Sequence, residues 1–217
     1  MRIIVIGGSG RTGTLVVEKL IAAGHAVVAT IRNSKHMAAM VKRGAEAFVL
    51  DLDKSPLADF VTAMQGADAV VFAAGSAVGE SSAIDRIGTR RTVHAAENAG
   101  VKRYLAISSI GASTGMSTRG FNEEMKDYYR QKRAAAKFIH TSGLAWTILE
   151  PGELTDEAGT GKVTLTEAAI EEGKVSRDDV AATVLALIKE PRTAGRTFQL
   201  VGGDTEIRKA LATALKA

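Results

Sequence analysis

The 217-residue chain has no cysteine, only three prolines and few aromatic residues, which make up 5% of the sequence. Without cysteine, a disulfide framework, a thiolate zinc site and a thiol nucleophile are excluded, and the composition agrees with a reducing cytoplasm. The low aromatic content also argues against a surface that stacks single-stranded nucleic acid. No apolar run reaches the roughly 18 residues of a membrane span, and no signal-peptide core follows Met1. We therefore expect a cytoplasmic protein that does not enter a membrane.

A strong excess of either charge is missing as well. The chain has 28 Lys and Arg against 24 Asp and Glu, a formal charge of +4. Duplex DNA binding needs many basic contacts to phosphate, so no nucleic-acid partner is expected and a small anionic ligand fits better. The four histidines are isolated, and the sequence predicts no metal site. Length and an apolar fraction of 46% suit a single globular domain over residues 1–217. We expect a monomer or homodimer.

Short apolar segments rich in β-branched residues recur through the first 150 residues and lack the alternation of half-exposed strands. Such continuous runs are typical of parallel strands that are covered on both faces. The segments between them have helical spacing, and each ends at a glycine, the residue that most readily takes the left-handed conformation after a helix. The predicted strands are residues 2–6, 26–31, 47–50, 69–73, 104–107 and 146–149, and the glycines are Gly24, Gly44, Gly66, Gly100 and Gly143. This repeated order predicts an α/β fold with a doubly wound parallel sheet.

The regularity fades after residue 150, where we expect a smaller extension over residues 151–217. It is predicted to pack on the same sheet and to close the substrate side of a cleft. A loop, a short strand, a helix that Pro191 ends, a further strand and a final helix capped by Asp204 or Thr205 are expected in that order. The first four of these cover residues 152–161, 162–166, 178–189 and 197–201.

A glycine-rich turn, GGSGRTG over residues 7–13, follows the first predicted strand and precedes the first predicted helix. In this spacing Gly7 permits a tight turn, Gly10 lets backbone N–H groups reach a diphosphate, and Gly13 allows close packing of helix on strand. The free N–H groups and partial positive charge of the helix N-terminus complete an anion site. The motif predicts a dinucleotide-binding Rossmann fold. The other residues of the turn expected to contact the cofactor are Ser9, Arg11 and Thr12.

The tip of the second predicted strand distinguishes NAD from NADP. An NAD site uses Asp or Glu about 20 residues after the glycines to bind the ribose 2′-hydroxyl, whereas this chain has Arg32 at that position. A guanidinium suits a 2′-phosphate, and Arg11 could reach the same group. We therefore expect NADP(H), with NAD(H) remaining the alternative if Arg32 is only a solvated loop residue.

Two further strand ends fit the same ligand by topology. After the third predicted strand, Asp51 can accept a hydrogen bond from the adenine amino group and the N–H of Leu52 can donate to the ring. After the fourth, the small residues Ala73, Ala74 and Gly75 leave room for a ribose. Each segment taken alone is almost equally consistent with a simple turn at the end of a strand.

Eight segments resemble the short-chain dehydrogenase/reductase superfamily, in particular its small atypical NAD(P)-binding members with NmrA-like or epimerase-like sequences. They are GGSGRTG at 7–13, IRN at 31–33, LDLD at 50–53, FAAG at 72–75, ISSIGA at 107–112, KDYYRQKR at 126–133, TILEPGEL at 147–154 and SRDDVA at 176–181. The resemblance implies a Rossmann fold but leaves the substrate open, because one fold carries many functions.

In active members of that superfamily, a Tyr-x-x-x-Lys pair on the helix after the fifth strand works with a Ser at the end of that strand. Tyr128 and Lys132 match this spacing, which puts both side chains on one helix face. Ser109, or else Ser108, would orient a carbonyl group. A nearby ammonium favours a phenolate, so a tyrosine in such a pair can exchange a proton while hydride passes to or from the nicotinamide.

The resemblance also implies contacts with the nicotinamide half of the cofactor. Lys132 would hold the nicotinamide ribose. The backbone of Pro151 and Gly152, after the sixth predicted strand, would face the carboxamide.

Three functions remain open. The leading hypothesis is an NADP(H)-dependent oxidoreductase that acts on a small carbonyl-type substrate through Tyr128, Lys132 and Ser109. Tyr129, which has Arg133 four residues on, competes with Tyr128 for this role. Many atypical members keep only cofactor binding, so a non-catalytic redox-sensing protein is the second hypothesis. The third is a sugar-nucleotide epimerase or dehydratase, which is weakened because the C-terminal segment of about 65 residues is short for a nucleotide-sugar domain.

Overall fold

The computed structural model describes residues 1–75, 83–113 and 115–216, and these residues form the predicted α/β fold. The strands are β1 (Arg2–Ile6), β2 (Ala26–Ile31), β3 (Glu46–Val49), β4 (Ala69–Phe72), β5 (Arg103–Ile107), β6 (Ala145–Pro151), β7 (Glu153–Thr155), β8 (Lys162–Thr166), β9 (Lys174–Ser176), β10 (Arg196–Gly202) and β11 (Thr205–Glu206). The helices are α1 (Arg11–Ala22), α2 (Met37–Lys42), α3 (Leu57–Met64), α4 (Ala83–Asn98), α5 (Glu123–His140), α6 (Arg177–Lys189) and α7 (Ile207–Ala214). No helix in this part of the chain is both long and apolar enough to cross a membrane.

A nine-stranded sheet forms the centre of the described structure, in the order β11-β8-β10-β6-β5-β4-β1-β2-β3. The strands β1 to β6 and β10 run parallel, whereas β8 is antiparallel to both β10 and β11. The chain builds outward from β1 to β3 and then returns to β4 on the other side of β1, where Ile3 pairs with Ala69. Open parallel sheets bind ligands at the carboxyl ends of the strands where the order reverses in this way. The expected binding site therefore lies at the ends of β1 and β4.

Helices cover both faces of the sheet, which explains the continuous apolar runs. Successive strand residues point to opposite faces, so Ile3 and Val5 pack on the side of α1 and α6, whereas Ile4 and Ile6 pack on the side of α3, α4 and α5. Each buried aliphatic side chain contributes about 1.5–3 kcal/mol relative to exposure. A strand such as β1 therefore stabilises the fold through nearly every residue.

Four of the five predicted helix stops are confirmed, because Gly24, Gly44, Gly66 and Gly100 all have a positive φ. The prediction for Gly143 is wrong, since its φ is not positive. Helix α5 ends at His140, and the hydroxyls of Thr141 and Ser142 donate to the carbonyls of Lys137 and Ile139. The backbone N–H groups of Thr141 and Ser142 bond the same two carbonyls, so the end of the helix is closed without a left-handed residue.

The segment after residue 150 extends the same sheet through β8, β10 and β11, but two of its details differ from the prediction. Residues 152–161 are not all loop, because β7 within them pairs in parallel with β9. The final helix begins after Glu206 and has no side-chain cap, so neither Asp204 nor Thr205 caps it. The physical reason is that Thr205 and Glu206 pair with β8, which keeps the chain extended up to the helix.

Candidate cofactor and active site

The glycine turn between β1 and α1 is held tightly against its neighbours. Gly7 has a φ of +78°, and a Cβ placed there would lie 2.9 Å from Ala74. A Cβ on Gly13 would overlap the carbonyl oxygen of Gly7. The N–H of Gly7 donates to Oγ1 of Thr30 at 3.2 Å, which ties the turn to β2. Gly7 and Gly13 thus have the steric roles that the motif predicts.

The start of α1 is open to a ligand. Gly10 is the N-cap in an extended conformation and provides no side chain to cap the helix. Gly10 and Arg11 are exposed, while Ser9 and Thr12 are half-buried. The N–H groups of the first turn have no partner within the helix and carry its partial positive charge. A Cβ at Gly10 would lie 3.3 Å from the carbonyl oxygen of Gly7, and the predicted contact of the turn with a diphosphate stays a prediction.

Arg11 contacts the C-terminal extension. Its Nη1 donates to Oδ2 of Asp156 at 3.1 Å, and Oδ1 of Asp156 accepts from Nη1 of Arg177 at 2.6 Å. Asp156 therefore joins the glycine turn to the start of α6. This partner was not evident from the sequence, which suggested only that Arg11 could reach a 2′-phosphate.

Arg32 is exposed directly after β2, at the same edge of the sheet as the glycine turn. The adjoining turn is ordered by Asn33, whose side chain accepts from the N–H of Lys35 at 3.0 Å. The tip of β2 thus presents Arg32 to solvent, and the exposed Lys35 follows three residues later. The predicted contact of Arg32 with a 2′-phosphate stays a prediction.

Asp51 and Leu52 form a hydrogen-bonded turn after β3. Oδ1 of Asp51 accepts from the N–H of Asp53 at 2.9 Å, and the N–H of Asp51 donates to Oγ of Ser55 at 3.0 Å. Leu52 is buried, and its carbonyl accepts from Arg91 at 2.9 Å. Both residues have a structural role, and their predicted contacts with adenine stay predictions.

The end of β4 lies between the glycine turn and α5. Ala74 limits the space around Gly7, as described above. At Gly75, an added Cβ would lie 3.3 Å from both Oδ1 of Asp85 and Nζ of Lys132. The three small residues Ala73, Ala74 and Gly75 therefore connect the expected diphosphate site to the predicted catalytic helix.

The structure brings Tyr128 and Lys132 together on one face of α5. Nζ of Lys132 lies 5.4 Å from the centre of the Tyr128 ring and donates a hydrogen bond to its hydroxyl. Nζ also lies 2.8 Å from Oδ1 of Asp85, and only 7% of the lysine side chain and 2% of the aspartate side chain are exposed. Burial acts to lower the pKa of Lys132, but Asp85 and Tyr128 outweigh it and the pKa is raised. Lys132 therefore remains an ammonium.

The predicted serine contacts the other tyrosine. Ser109 shares a hydrogen bond with Tyr129, and burial raises the pKa of that tyrosine. Tyr129 packs edge-on against Tyr128 with a centre-to-centre distance of 5.4 Å. Ser108 lines a small pocket together with Lys132. Of the two serines, Ser108 thus lies on the side of Lys132, while the role of Ser109 toward a substrate stays a prediction.

Glu150 is a buried acid that the sequence analysis missed. It is fully buried at the end of β6 and accepts from the N–H of Ser113 at 2.6 Å, from the Ser113 hydroxyl, and from Nε2 of Gln199 at 3.3 Å. Burial raises its pKa although these hydrogen bonds oppose the shift. Glu150 anchors the loop after β5. A charged residue inside the apolar segment 147–154 was the signal that could have found it.

Pro151 and Gly152 use their backbone groups within the protein. The carbonyl of Pro151 accepts from the N–H of Ile110 at 2.8 Å, and the N–H of Gly152 donates to Leu200 at 2.9 Å. A Cβ on Gly152 would overlap the carbonyl oxygen of Gly173. A cofactor contact here would therefore need a carbonyl lone pair, because the N–H of Gly152 is already bonded.

The parallel sheet, the glycine turn at its switch point and the Tyr128–Lys132 pair define a Rossmann protein of the short-chain dehydrogenase/reductase type. The chain belongs to the NAD(P)H-binding family, which matches residues 7–191. It is 36% identical to the uncharacterized sugar epimerase YhfK of Bacillus subtilis (strain 168), over 97% of this chain and 99% of that protein. These matches confirm the predicted resemblance to atypical NAD(P)-binding members and indicate a nicotinamide cofactor.

Solved structures with the same fold are similar over nearly the whole chain. A putative NAD-dependent epimerase/dehydratase from Bacillus halodurans has a TM-score of 0.87 at 33% identity and covers 98% of this chain and 99% of its own. The anaerobillin reductase ChuY of Escherichia coli O157:H7 has a TM-score of 0.82 at 25% identity and covers 95% and 99%. The protein is thus a member of an oxidoreductase-like NAD(P)-binding family.

Proposed function

We propose that the protein is an NADP(H)-dependent oxidoreductase that transfers hydride to or from a small carbonyl-type substrate. The observation that carries the proposal is the position of the Tyr128–Lys132 pair beside Gly75. Gly75 follows β4, and β4 lies next to β1, the strand that leads into the glycine turn. A cofactor that binds at the turn and follows the strand ends would have its ribose held by Lys132. The reductase named among the similar structures supports an activity of this class.

The side chains of the pair have distinct tasks in this reaction. When bound, a reduced nicotinamide supplies hydride to the carbonyl carbon. Tyr128 donates its hydroxyl proton to the carbonyl oxygen as that bond forms. An ammonium can only donate, so Lys132 bonds to the phenol oxygen and leaves the phenol proton for the substrate. Lys132 then stabilises the phenolate until it recovers a proton from solvent.

The preference for NADP(H) over NAD(H) rests on the tip of β2. Arg32 is exposed there, Lys35 follows three residues on, and no carboxylate is present to bind a ribose 2′-hydroxyl. A guanidinium can make paired hydrogen bonds to a phosphate. The proposal includes a cytoplasmic monomer or homodimer that binds a small-molecule substrate and neither nucleic acid nor membrane.

Replacement of Tyr128 by Phe tests the proposal. Purified wild type and Tyr128→Phe are compared for NADPH oxidation with a panel of aldehydes, ketones and quinones, and for NADPH affinity by calorimetry. We expect turnover to fall by about 100-fold or more, while the affinity changes less than about twofold. Tyr129→Phe is the matched control and should keep most of the activity. Full activity in Tyr128→Phe, or no NADPH binding by the wild type, contradicts the proposal.

A second candidate is a non-catalytic protein that binds NADP(H) and reports its redox state to a partner. It is favoured by the hydrogen bond of Ser109 to Tyr129, which leaves the serine of the expected catalytic set on the other tyrosine. Under this alternative, the wild type binds NADPH and NADP⁺ with different affinities and oxidises NADPH with no member of the panel. An epimerase, the activity named for YhfK, would instead interconvert sugar nucleotides without net cofactor turnover.

A further inference from the structure

Lys132 and Asp85 are the charged residues that line a small pocket between the sheet and helices α4 and α5, within the described part of the chain. The remaining lining is apolar or carries hydroxyl groups, as at Phe72, Thr89 and Ser108. Their charged atoms lie 2.8 Å apart, and both side chains are almost completely buried. A lone charge in such a place is strongly unfavourable, so each of these residues depends on the other.

The contact between Asp85 and Lys132 also affects Tyr128, because the lysine is bonded to both. Burial alone would lower the pKa of Lys132, and the negative charge of Asp85 is the largest of the effects that raise it. Without that charge, the Tyr128–Lys132 pair would lose a proton at lower pH. Because the two groups share a hydrogen bond, the proton can leave from either one, and the loss belongs to the pair.

Among the interactions that raise the pKa of Lys132, the contact with Asp85 is the strongest. The charged and titratable groups that act on Lys132 are Asp85 from α4 and Tyr128 from α5. Other ionisable side chains nearby are engaged with different partners: Arg86 of α4 with Gln131, Asp127 of α5 with Arg130, and Glu150 of β6 with Ser113.

We propose that Asp85 is a positioning residue that holds the Lys132 ammonium against the Tyr128 hydroxyl and so prepares the site to donate a proton. This inference rests on the proposed function. In reduction, the hydride pair bonds the carbonyl carbon, the carbonyl oxygen takes the proton of Tyr128, the nicotinamide is oxidised, and solvent returns a proton to the phenolate. Oxidation of an alcohol follows the same steps in reverse, with the phenolate as the group that accepts the proton.

Tyrosinate absorbance provides a direct readout, because the chain has only three tyrosines. Tyr104 is fully buried, and burial raises its pKa well above the usual range. Burial also raises the pKa of Tyr129. Any transition that disappears in Tyr128→Phe is assigned to Tyr128. The ammonium of Lys132 is followed separately by NMR of its side chain, assigned by comparison with Lys132→Gln.

The experiment titrates the free protein, without cofactor or substrate, from pH 6 to 11 in wild type and Asp85→Asn. We expect the signal of Tyr128 or that of Lys132 to move to lower pH by about one unit or more in Asp85→Asn. Asp85→Glu keeps the charge and should restore wild-type behaviour. Glu123→Gln, which removes an exposed carboxylate from α5, should change neither signal. If both signals of Asp85→Asn coincide with those of wild type, the inference is wrong.

Lys132→Gln gives an independent result if Asp85→Asn does not fold. With the ammonium gone, the positive charge beside the phenol is lost while Asp85 remains, and the Tyr128 signal should move to higher pH. An unchanged Tyr128 signal in this variant also overturns the inference. Where turnover is measurable, the pH profile of turnover in Asp85→Asn should move to lower pH in step with the titration. Because the titration needs no ligand, an inactive protein that titrates as expected contradicts the proposed function and leaves the role of Asp85 intact.

Discussion

Arg11 of the glycine turn donates from Nη1 to Oδ2 of Asp156 at 3.1 Å, across 145 residues of sequence. Both side chains are mostly exposed, whereas Arg177, the second partner of Asp156, is largely buried. Asp156 is therefore held from the side of α6 and draws Arg11 toward the extension. A diphosphate at the turn would have to share this guanidinium with Asp156.

We predict that Asp156→Asn increases the affinity for NADPH by about twofold to fivefold, which is the range expected when an exposed ion pair is removed. The substitution takes away a negative charge near the diphosphate site and frees Arg11. Because screening weakens such effects, the gain should shrink between low and high salt. Calorimetry at two salt concentrations measures it. Glu153→Gln serves as the control, and an equal gain there would indicate a general charge effect.

We predict that Arg32→Asp reverses the cofactor preference. A charge-assisted bond to the 2′-phosphate is lost, and the new carboxylate can accept from the 2′-hydroxyl of NADH. The ratio of the NADH dissociation constant to that for NADPH should fall by about 10- to 100-fold. Fluorescence titration with both cofactors gives the ratio. Lys42→Asp, at an exposed position on α2, should leave the ratio unchanged, and an unchanged ratio in Arg32→Asp would remove this residue from the site.

We predict that two glycine-to-alanine substitutions differ in their effect on stability. Gly13→Ala places a methyl group on the carbonyl oxygen of Gly7, so the turn must shift, with a loss of about 1–3 kcal/mol in stability and weaker NADPH binding. Gly143→Ala meets its nearest neighbour, Oε1 of Glu97, only at 3.9 Å. Its stability should stay within about 0.5 kcal/mol of wild type. Urea unfolding of both variants tests the pair, and a neutral Gly13→Ala would refute the steric role of Gly13.

We predict that Glu150 makes stability depend on pH in the direction opposite to Glu190. Burial raises the pKa of Glu150 in the folded protein, so its contribution is complete below the unfolded pKa and is lost as pH rises through the folded one. The stability of wild type relative to Glu150→Gln should therefore decrease from pH 4 upward. Urea midpoints between pH 3 and 8 measure it.

Glu190 provides the matched comparison. Its hydrogen bond with Arg192 lowers its pKa to about 2, so its contribution is present above the unfolded pKa and lost as pH falls. The stability of wild type relative to Glu190→Gln should decrease toward acid. Parallel slopes for the two substitutions would mean that burial does not determine the ionisation of Glu150.

Local patterns in the sequence were enough to predict the sheet and the glycine turn. The predicted strands 2–6 and 26–31 match β1 and β2 at both ends, because glycine and helix signals mark their limits. The short strand β7 could not be found in this way, since its three residues are stabilised by pairing with β9 about 20 residues later. The prediction for Gly143 failed because backbone and hydroxyl groups of Thr141 and Ser142, rather than a left-handed glycine, close the end of α5.

The candidate site was predicted only in part for a similar reason. Tyr128 and Lys132 lie four residues apart, so helical spacing alone puts them together. Asp85 reaches Lys132 across 47 residues, and Glu150 reaches Ser113 across 37. No periodicity connects such positions. The fold determines them, because the ends of parallel strands and the helices packed on them converge at one edge.

The pairing of β8 has a consequence for biosynthesis. Its neighbours in the sheet, β10 and β11, both follow it in the chain, whereas each of the strands β4, β5 and β6 joins a neighbour that has already been made. On the ribosome, the nucleotide-binding half can therefore assemble while residues 162–166 still wait for partners. The edge of the sheet that contains β8 is completed only after Arg196–Gly202 and Thr205–Glu206 have been synthesised, so nascent chains that stop before residue 196 would lack this edge.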